Sequence, residues 1–256
     1  MPVHIHQFIC RTDNFGVLIH DSVAGATASI DAPDAAAILA GLDERGWTLT
    51  DILVTHRHGD HVDGIPGLKA RFPKARVVAP AKEAAQIGNV DVAVSQGDNV
   101  AVGAVQATVI ETPGHTAGHV VFYFPEEDVL FAGDTLFAMG CGRVFETPMN
   151  VMWDSLTKLA QLPGETQVYC GHEYTLANGR FAVTVDPENK LLKTRLADVE
   201  GMRARGVVTL PTTISLELAT NPFLRAEEPS VQKAVGLIGA DPAAVFAELR
   251  SRKNRT

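Results

Sequence analysis

The segment THRHGDHVDG, which begins at Thr55, continues the apolar run DILVT, whose last residue it shares. This join narrows the choice of fold more than any other feature of the chain. A short buried strand has to end in a cluster of three histidines and an aspartate packed into six residues. In an extended segment, residues two apart point the same way, so His56 and His58 can reach one ion together. Asp60 and His61 are neighbours and diverge, which suits a second ion beside the first. Imidazole nitrogen and carboxylate oxygen are ligands for zinc, iron or manganese.

The same plan recurs downstream. ETPGHTAGH sets His115 after a strand and a Pro-Gly turn, VLFAGDTLF sets Asp134 at the end of an apolar strand, and VYCGHEYT sets His172 after another. Each reads as buried strand, glycine, ligand, and glycine lets the backbone turn sharply and approach closely. A carboxylate can bridge two cations through its two oxygens, and Asp134 is placed for that. The expected set is therefore His56, His58 and His115 on one ion, Asp60, His61 and His172 on the other, and Asp134 shared. His4, His6 and His20 lie in strand-like segments without ligand spacing and read as structural. His119 reads as a support. Asp31, at a strand end, reads either as an orienting partner for a ligand or as a turn cap.

The surrounding pattern is mixed α/β. VHIHQFIC, FGVLIHD and ATASI read as strands, PDAAAILAGLDERG as a helix between Pro33 and Gly46, GIPGLKARFP as a helix leaving the cluster, ARVVAP as a strand and AKEAAQIG as a short helix. Strand follows strand from about Val90 to Gly133, and helix dominates beyond His172. LPTTISLELATNPFLR reads as an extended linker. Two domains are expected, a catalytic one over 1–172 and an α-helical, substrate-binding one over 173–256.

Composition excludes several classes. A net charge of −8 argues against broad nucleic-acid binding, and no apolar run reaches the roughly 20 residues of a membrane span. The N-terminus lacks a signal-like pattern, so a cytoplasmic protein is expected, with monomer as the default. Cys10, Cys141 and Cys170 form no C-x-x-C pair, which disfavours disulfides and thiolate zinc sites alike. RSRKNRT at the C-terminus carries only basic charge, and reads as a solubilising tail or an anion-binding edge.

THRHGDHVDG resembles the T-H-x-H-x-D-H-x-x-G motif of the metallo-β-lactamase superfamily, and the later histidine, aspartate and histidine follow in that superfamily's order. TPGHTAGH, FAGDTLF, GCGRVFE, VYCGHEYT, TNPFLR and the basic final helix resemble glyoxalase II, the hydroxyacylglutathione hydrolases, over essentially the whole chain. The resemblance implies a four-layer αβ/βα sandwich with a smaller C-terminal α-helical domain. It implies two divalent cations, zinc first and iron or manganese as alternatives. It also implies hydrolysis of S-D-lactoylglutathione and related 2-hydroxyacylglutathiones to the hydroxy acid and glutathione by a hydroxide held between the metals, the second step of methylglyoxal detoxification. Asp60 and Asp134 would be the catalytic carboxylates, with Asp60 orienting the bridging water or taking its proton. Arg143, Phe145, Tyr174, Arg250 and Lys253 would contact the glutathione. Where the family often carries lysine, an aromatic and tyrosine, this chain has Arg143, Val144 and Phe145, so a tyrosine hydroxyl is missing. Rival readings are a one-iron glutathione persulfide dioxygenase, another hydrolase of the fold such as a lactonase or β-lactamase, and a non-catalytic module with a structural metal. Structural zinc sites are closed and usually include cysteine, unlike this set.

Overall fold

The computed structural model describes residues 3–256, which form two compact units, residues 3–112 with Thr116–Gly133, and Pro113–His115 with Asp134–Thr256. The first unit opens with strands β1 (Val3–Cys10), β2 (Asn14–Asp21) and β3 (Ala26–Ile30), then α1 (Ala35–Arg45) and β4 (Leu49–Leu53). After β4 come α2 (Gly59–Val62), α3 (Ile65–Arg71), β5 (Arg76–Pro80), α4 (Ala84–Ile87) and β6 (Val92–Val94). These strands make one six-stranded sheet in chain order, antiparallel from β1 to β3 and parallel from β3 to β6. Four further strands, β7 (Asn99–Val102), β8 (Val105–Glu111), β9 (Val120–Phe124) and β10 (Val129–Gly133), pair antiparallel in sequence. The first of their turns is tied to the other sheet, since Asp21 accepts the backbone N–H of Ala104 at 2.8 Å.

Local chemistry explains the element that sets up the histidine cluster. Asp34 caps α1 by accepting the N–H of Ala37 at 2.8 Å, and Gly46 ends the helix in the left-handed region at φ +66°. Ile38 and Leu42, one turn apart, bury against Ile52 and Val54 and against Leu68 of α3. The strand β4 thus lies in the core, and the chain leaves it at Thr55 with nowhere to go but into the loop that holds His56.

The second unit contains the two-residue strands β11 (Leu136–Phe137) and β12 (Gly140–Cys141), then α5 (Met149–Leu159), β13 (Gln167–Cys170), α6 (Thr175–Val185) and α7 (Lys190–Ala204). It ends with β14 (Thr212–Thr213), α8 (Ile214–Thr220), α9 (Pro229–Val235) and α10 (Pro242–Asn254). The mixed α/β core and the helical C-terminal region are as expected. One segment is not: PTTISLELAT contains α8 rather than an extended linker. Thr213 caps it by accepting the N–H of Leu216 at 3.2 Å. Its buried face is Ile214, Glu217 and Thr220, a helical spacing hidden from hydropathy because two of the three are polar. They are buried because Arg195 of α7 reaches both, with Nη2 at 2.6 Å from Glu217 Oε1 and Nη1 at 2.5 Å from Thr220 Oγ1. No helix is long and apolar enough to cross a membrane among the described residues.

Candidate metal centre

In the first unit, the loop after β4 carries His56 and His58 in extended chain, and α2 begins directly after His58. The ring of His61, on α2, lies 4.1 Å from that of His56, centre to centre. His56 is fully buried, with Nδ1 at 3.0 Å from Thr55 Oγ1 and Nε2 at 3.1 Å from His58 Nδ1. His61 is anchored by its Nδ1, 2.8 Å from Asp31 Oδ2, and its Nε2 lies 3.7 Å from Asp60 Oδ2. Asp60 in turn accepts from Asn14 Nδ2 at 3.2 Å.

Asp31 resolves the two readings the sequence left open. Its carboxylate accepts the Thr55 N–H at 2.7 Å and the Thr55 hydroxyl at 2.9 Å as well as the His61 ring. It does this from a backbone at φ +57°, a conformation few side chains adopt. The aspartate is therefore an orienting partner, and its unusual backbone is held by the three groups it serves. His119, expected as a support, is buried and stacks on His56 with ring centres 4.9 Å apart, its own Nδ1 held by Thr112 Oγ1 at 2.9 Å. Gly133, at φ +48°, closes in behind: a Cβ there would stand 2.7 Å from both His119 Nε2 and Thr55 Oγ1.

In the second unit, one carboxylate oxygen faces two imidazoles. Asp134 Oδ2 lies 3.5 Å from His115 Nε2 and 3.4 Å from His172 Nε2. His115 gives its Nδ1–H to the carbonyl of Arg143 at 2.9 Å, which leaves the Nε2 lone pair on the Asp134 side. His172 is backed by Tyr174, whose ring lies parallel to it at 4.7 Å between centres. Histidine and aspartate side chains of this protein thus form groups that could hold a metal ion.

The residues expected to meet glutathione divide into two kinds. Arg143 is exposed, Phe145 is 61% exposed with its ring 5.4 Å from that of His115, and Tyr174 is partly exposed. Lys253 donates to the Ala177 carbonyl at 3.1 Å and lies over the Phe181 ring. Burial, with help from the charges of Arg250 and Arg143, holds its ammonium below the usual lysine range, so the three cations sense one another. Arg250 is different. It is only 4% exposed, its Nη1 donates to the Cys141 carbonyl at 2.8 Å, its Nε donates to Asn254 at 3.0 Å, and its guanidinium lies over Phe223.

Cys10, Cys141 and Cys170 are buried free thiols. Burial pushes Cys10 up to about 12 and Cys141 to about 11, and raises Cys170 further still. None is a nucleophile at neutral pH. Iodoacetamide at pH 8 is expected to leave the folded protein unmodified and to label all three thiols once guanidinium is added. Mass spectrometry showing rapid labelling of the native chain would refute this.

Residues 12–172 match the family model described as metallo-beta-lactamase superfamily, and residues 173–256 match hydroxyacylglutathione hydrolase C-terminus. A hydroxyacylglutathione hydrolase of Rhodopseudomonas palustris (strain BisA53) is 56% identical over 256 residues, covering 100% of both chains. The chain belongs to the hydroxyacylglutathione hydrolase family. Another relative of that name, from Rhizobium meliloti (strain 1021), is 54% identical over 252 residues and 98% of each chain. Among solved structures, ETHE1 from Myxococcus xanthus aligns with TM-score 0.68 at 27% identity over 98% of both chains. BLEG-1 B3 metallo-beta-lactamase aligns with TM-score 0.67 at 22% identity, over 86% of this chain and 99% of its own, a likeness of fold alone. The chain is thus a hydrolase-family α/β protein of the metallo-β-lactamase fold with a helical C-terminal region.

Proposed function

We propose that this member of the hydroxyacylglutathione hydrolase family cleaves S-D-lactoylglutathione and related 2-hydroxyacylglutathiones to the hydroxy acid and glutathione, using two divalent cations, zinc in the first instance. The observation that carries the reading is end-to-end identity above half with relatives named for that reaction, through both the ligand-bearing and the helical segments. We further propose the second step of methylglyoxal detoxification as its setting and the cytoplasm as its location. Three buried free thiols accord with a reducing compartment.

The donors fit two cations. Nδ1 of His56, His61 and His115 is each tied to an oxygen, which sets the tautomer and leaves Nε2 as the lone-pair donor. His56 Nε2 and His58 Nδ1 are 3.1 Å apart. Two nitrogens on one tetrahedral ion at about 2.0–2.1 Å would stand roughly 3.3 Å from each other. These contacts support an assignment of His56, His58 and His115 to one cation, Asp60, His61 and His172 to the other, and Asp134 to both.

When bound, the cations lower the pKa of a shared water toward neutrality and polarise the thioester carbonyl. Asp60, held by Asn14, would orient such a water or take its proton. The leaving thiol has a pKa of about 8.5 and departs as thiolate without a strong general acid. Arg143 and Lys253 draw the glutathione carboxylates, with Tyr174 and Phe145 lining the approach. Arg250 serves this subsite indirectly, fixing the Cys141 carbonyl two residues before Arg143 and adding its charge.

The test compares S-D-lactoylglutathione with S-lactoyl-N-acetylcysteamine, which lacks the peptide, on protein of measured metal content. Fast loss of the glutathione thioester alone is expected. Arg143→Ala should raise its KM roughly tenfold, the worth of a charged hydrogen bond, with kcat little changed. Failure to cleave either ester with two cations bound would discard the reading, and oxygen uptake with glutathione persulfide would replace it.

A further inference from the structure

The buried carboxylate of Glu83 has no part in the scheme above. It sits just before α4 and is 3% exposed. Its Oε2 accepts the backbone N–H of Arg57 at 2.7 Å, and its Oε1 accepts the backbone N–H of Gly118 at 2.9 Å. Arg57 is the residue between His56 and His58. Gly118 lies in TAGH, one residue before His119, whose ring stacks on His56. One side chain therefore fixes the peptide that joins two proposed ligands and also the loop that backs one of them.

We propose that Glu83 is a positioning residue for the cation held by His56 and His58. The inference rests on the two-cation reading given above. The geometry explains why this position carries a carboxylate. Each of its two oxygens accepts one N–H, whereas a glutamine would turn its NH2 group toward one of them. A peptide N–H that faces the NH2 group has lost its acceptor. Released, the Arg57 peptide can rotate, and His56 Nε2 and His58 Nδ1 leave the 3.1 Å separation that suits a single ion. The fit is tight from the other side as well. A Cβ on Gly118 would come 2.5 Å from Glu83 Cγ, so the glycine of TAGH is required by the glutamate's approach.

The prediction concerns affinity, and one cation only. Outer partners of metal ligands typically set affinity by 10–100-fold. In competition between Co2+ and a chromophoric chelator, Glu83→Gln is expected to weaken one of two sites about tenfold and leave the other unchanged. The visible Co2+ spectrum of that site should shift. Gly118→Ala, which displaces the same carboxylate without altering its charge, should reproduce the selective loss. Equal affinities in variant and parent at both sites would overturn the inference, as would a matching loss at both sites accompanied by a lower melting temperature of the metal-free protein. A parent chain that binds no Co2+ would overturn the two-cation reading itself.

Discussion

Replacing Asp134 with alanine is expected to lower kcat/KM for the glutathione thioester by more than a hundredfold and to reduce bound metal from two equivalents to less than one. The geometry behind this is a single oxygen, Oδ2, within 3.5 Å of His115 Nε2 and 3.4 Å of His172 Nε2. Loss of an outer partner costs about 10–100-fold, and loss of a shared ligand should exceed that, because both cations are affected and their charges face each other with less compensation. Asp134→Asn separates charge from shape. It keeps the volume and one oxygen, so it should retain more metal than the alanine variant while still losing most turnover. Elemental analysis and initial rates on the same preparation check both points. An alanine variant with two metals and parental turnover would sink the shared-ligand assignment.

Glu217→Ala is expected to be the most damaging single change to stability outside the donors. Glu217 is fully buried and joins four groups. Its Oε1 meets Arg195 Nη2 at 2.6 Å and accepts from the Thr212 hydroxyl at 2.6 Å, while Oε2 accepts the Met139 N–H at 2.8 Å and Asn221 Nδ2 at 3.0 Å. Met139 stands between β11 and β12 at φ +53°, a backbone conformation that needs such an anchor. Removing the carboxylate leaves the Arg195 charge buried and uncompensated, which costs about 3–5 kcal/mol. For a chain of this size that corresponds to a fall in Tm of roughly 10 °C. The exposed pair Arg180–Glu200, 3.5 Å apart, makes the contrast, since solvent screens it and its removal should leave Tm unchanged. Replacing both buried partners, Arg195→Met with Glu217→Leu, should recover part of the loss, because no charge is then stranded. It should not recover all of it, since the Met139 N–H still lacks its acceptor. Thermal melts of the three variants decide the matter. A Glu217→Ala protein melting within 2 °C of the parent would refute the account.

Much of this was legible in the chain because it is encoded locally. The cap at Asp34 and the stop at Gly46 mark α1, and the run before Thr55 marks β4. The candidate donors stand out because each follows an apolar strand. His115 and His172 were recognisable by this rule although they stand 57 residues apart in the sequence. The α8 helix escaped notice for the opposite reason, since its buried face is largely polar and is satisfied by groups distant in sequence, such as Arg195, 22 residues away from Glu217, and Met139, 78 away.

What the sequence alone determined, then, was the kind and order of the candidate donors and most of the elements that carry them, because residue type and spacing within one strand or turn suffice for that. The tertiary structure decided which groups hold those donors in place. Asp31 reaches His61 across 30 positions, Asn14 reaches Asp60 across 46, and Glu83 reaches Arg57 across 26 and Gly118 across 35. Hydrogen bonds of that span depend on where the backbone brings two segments together, and no local periodicity encodes it.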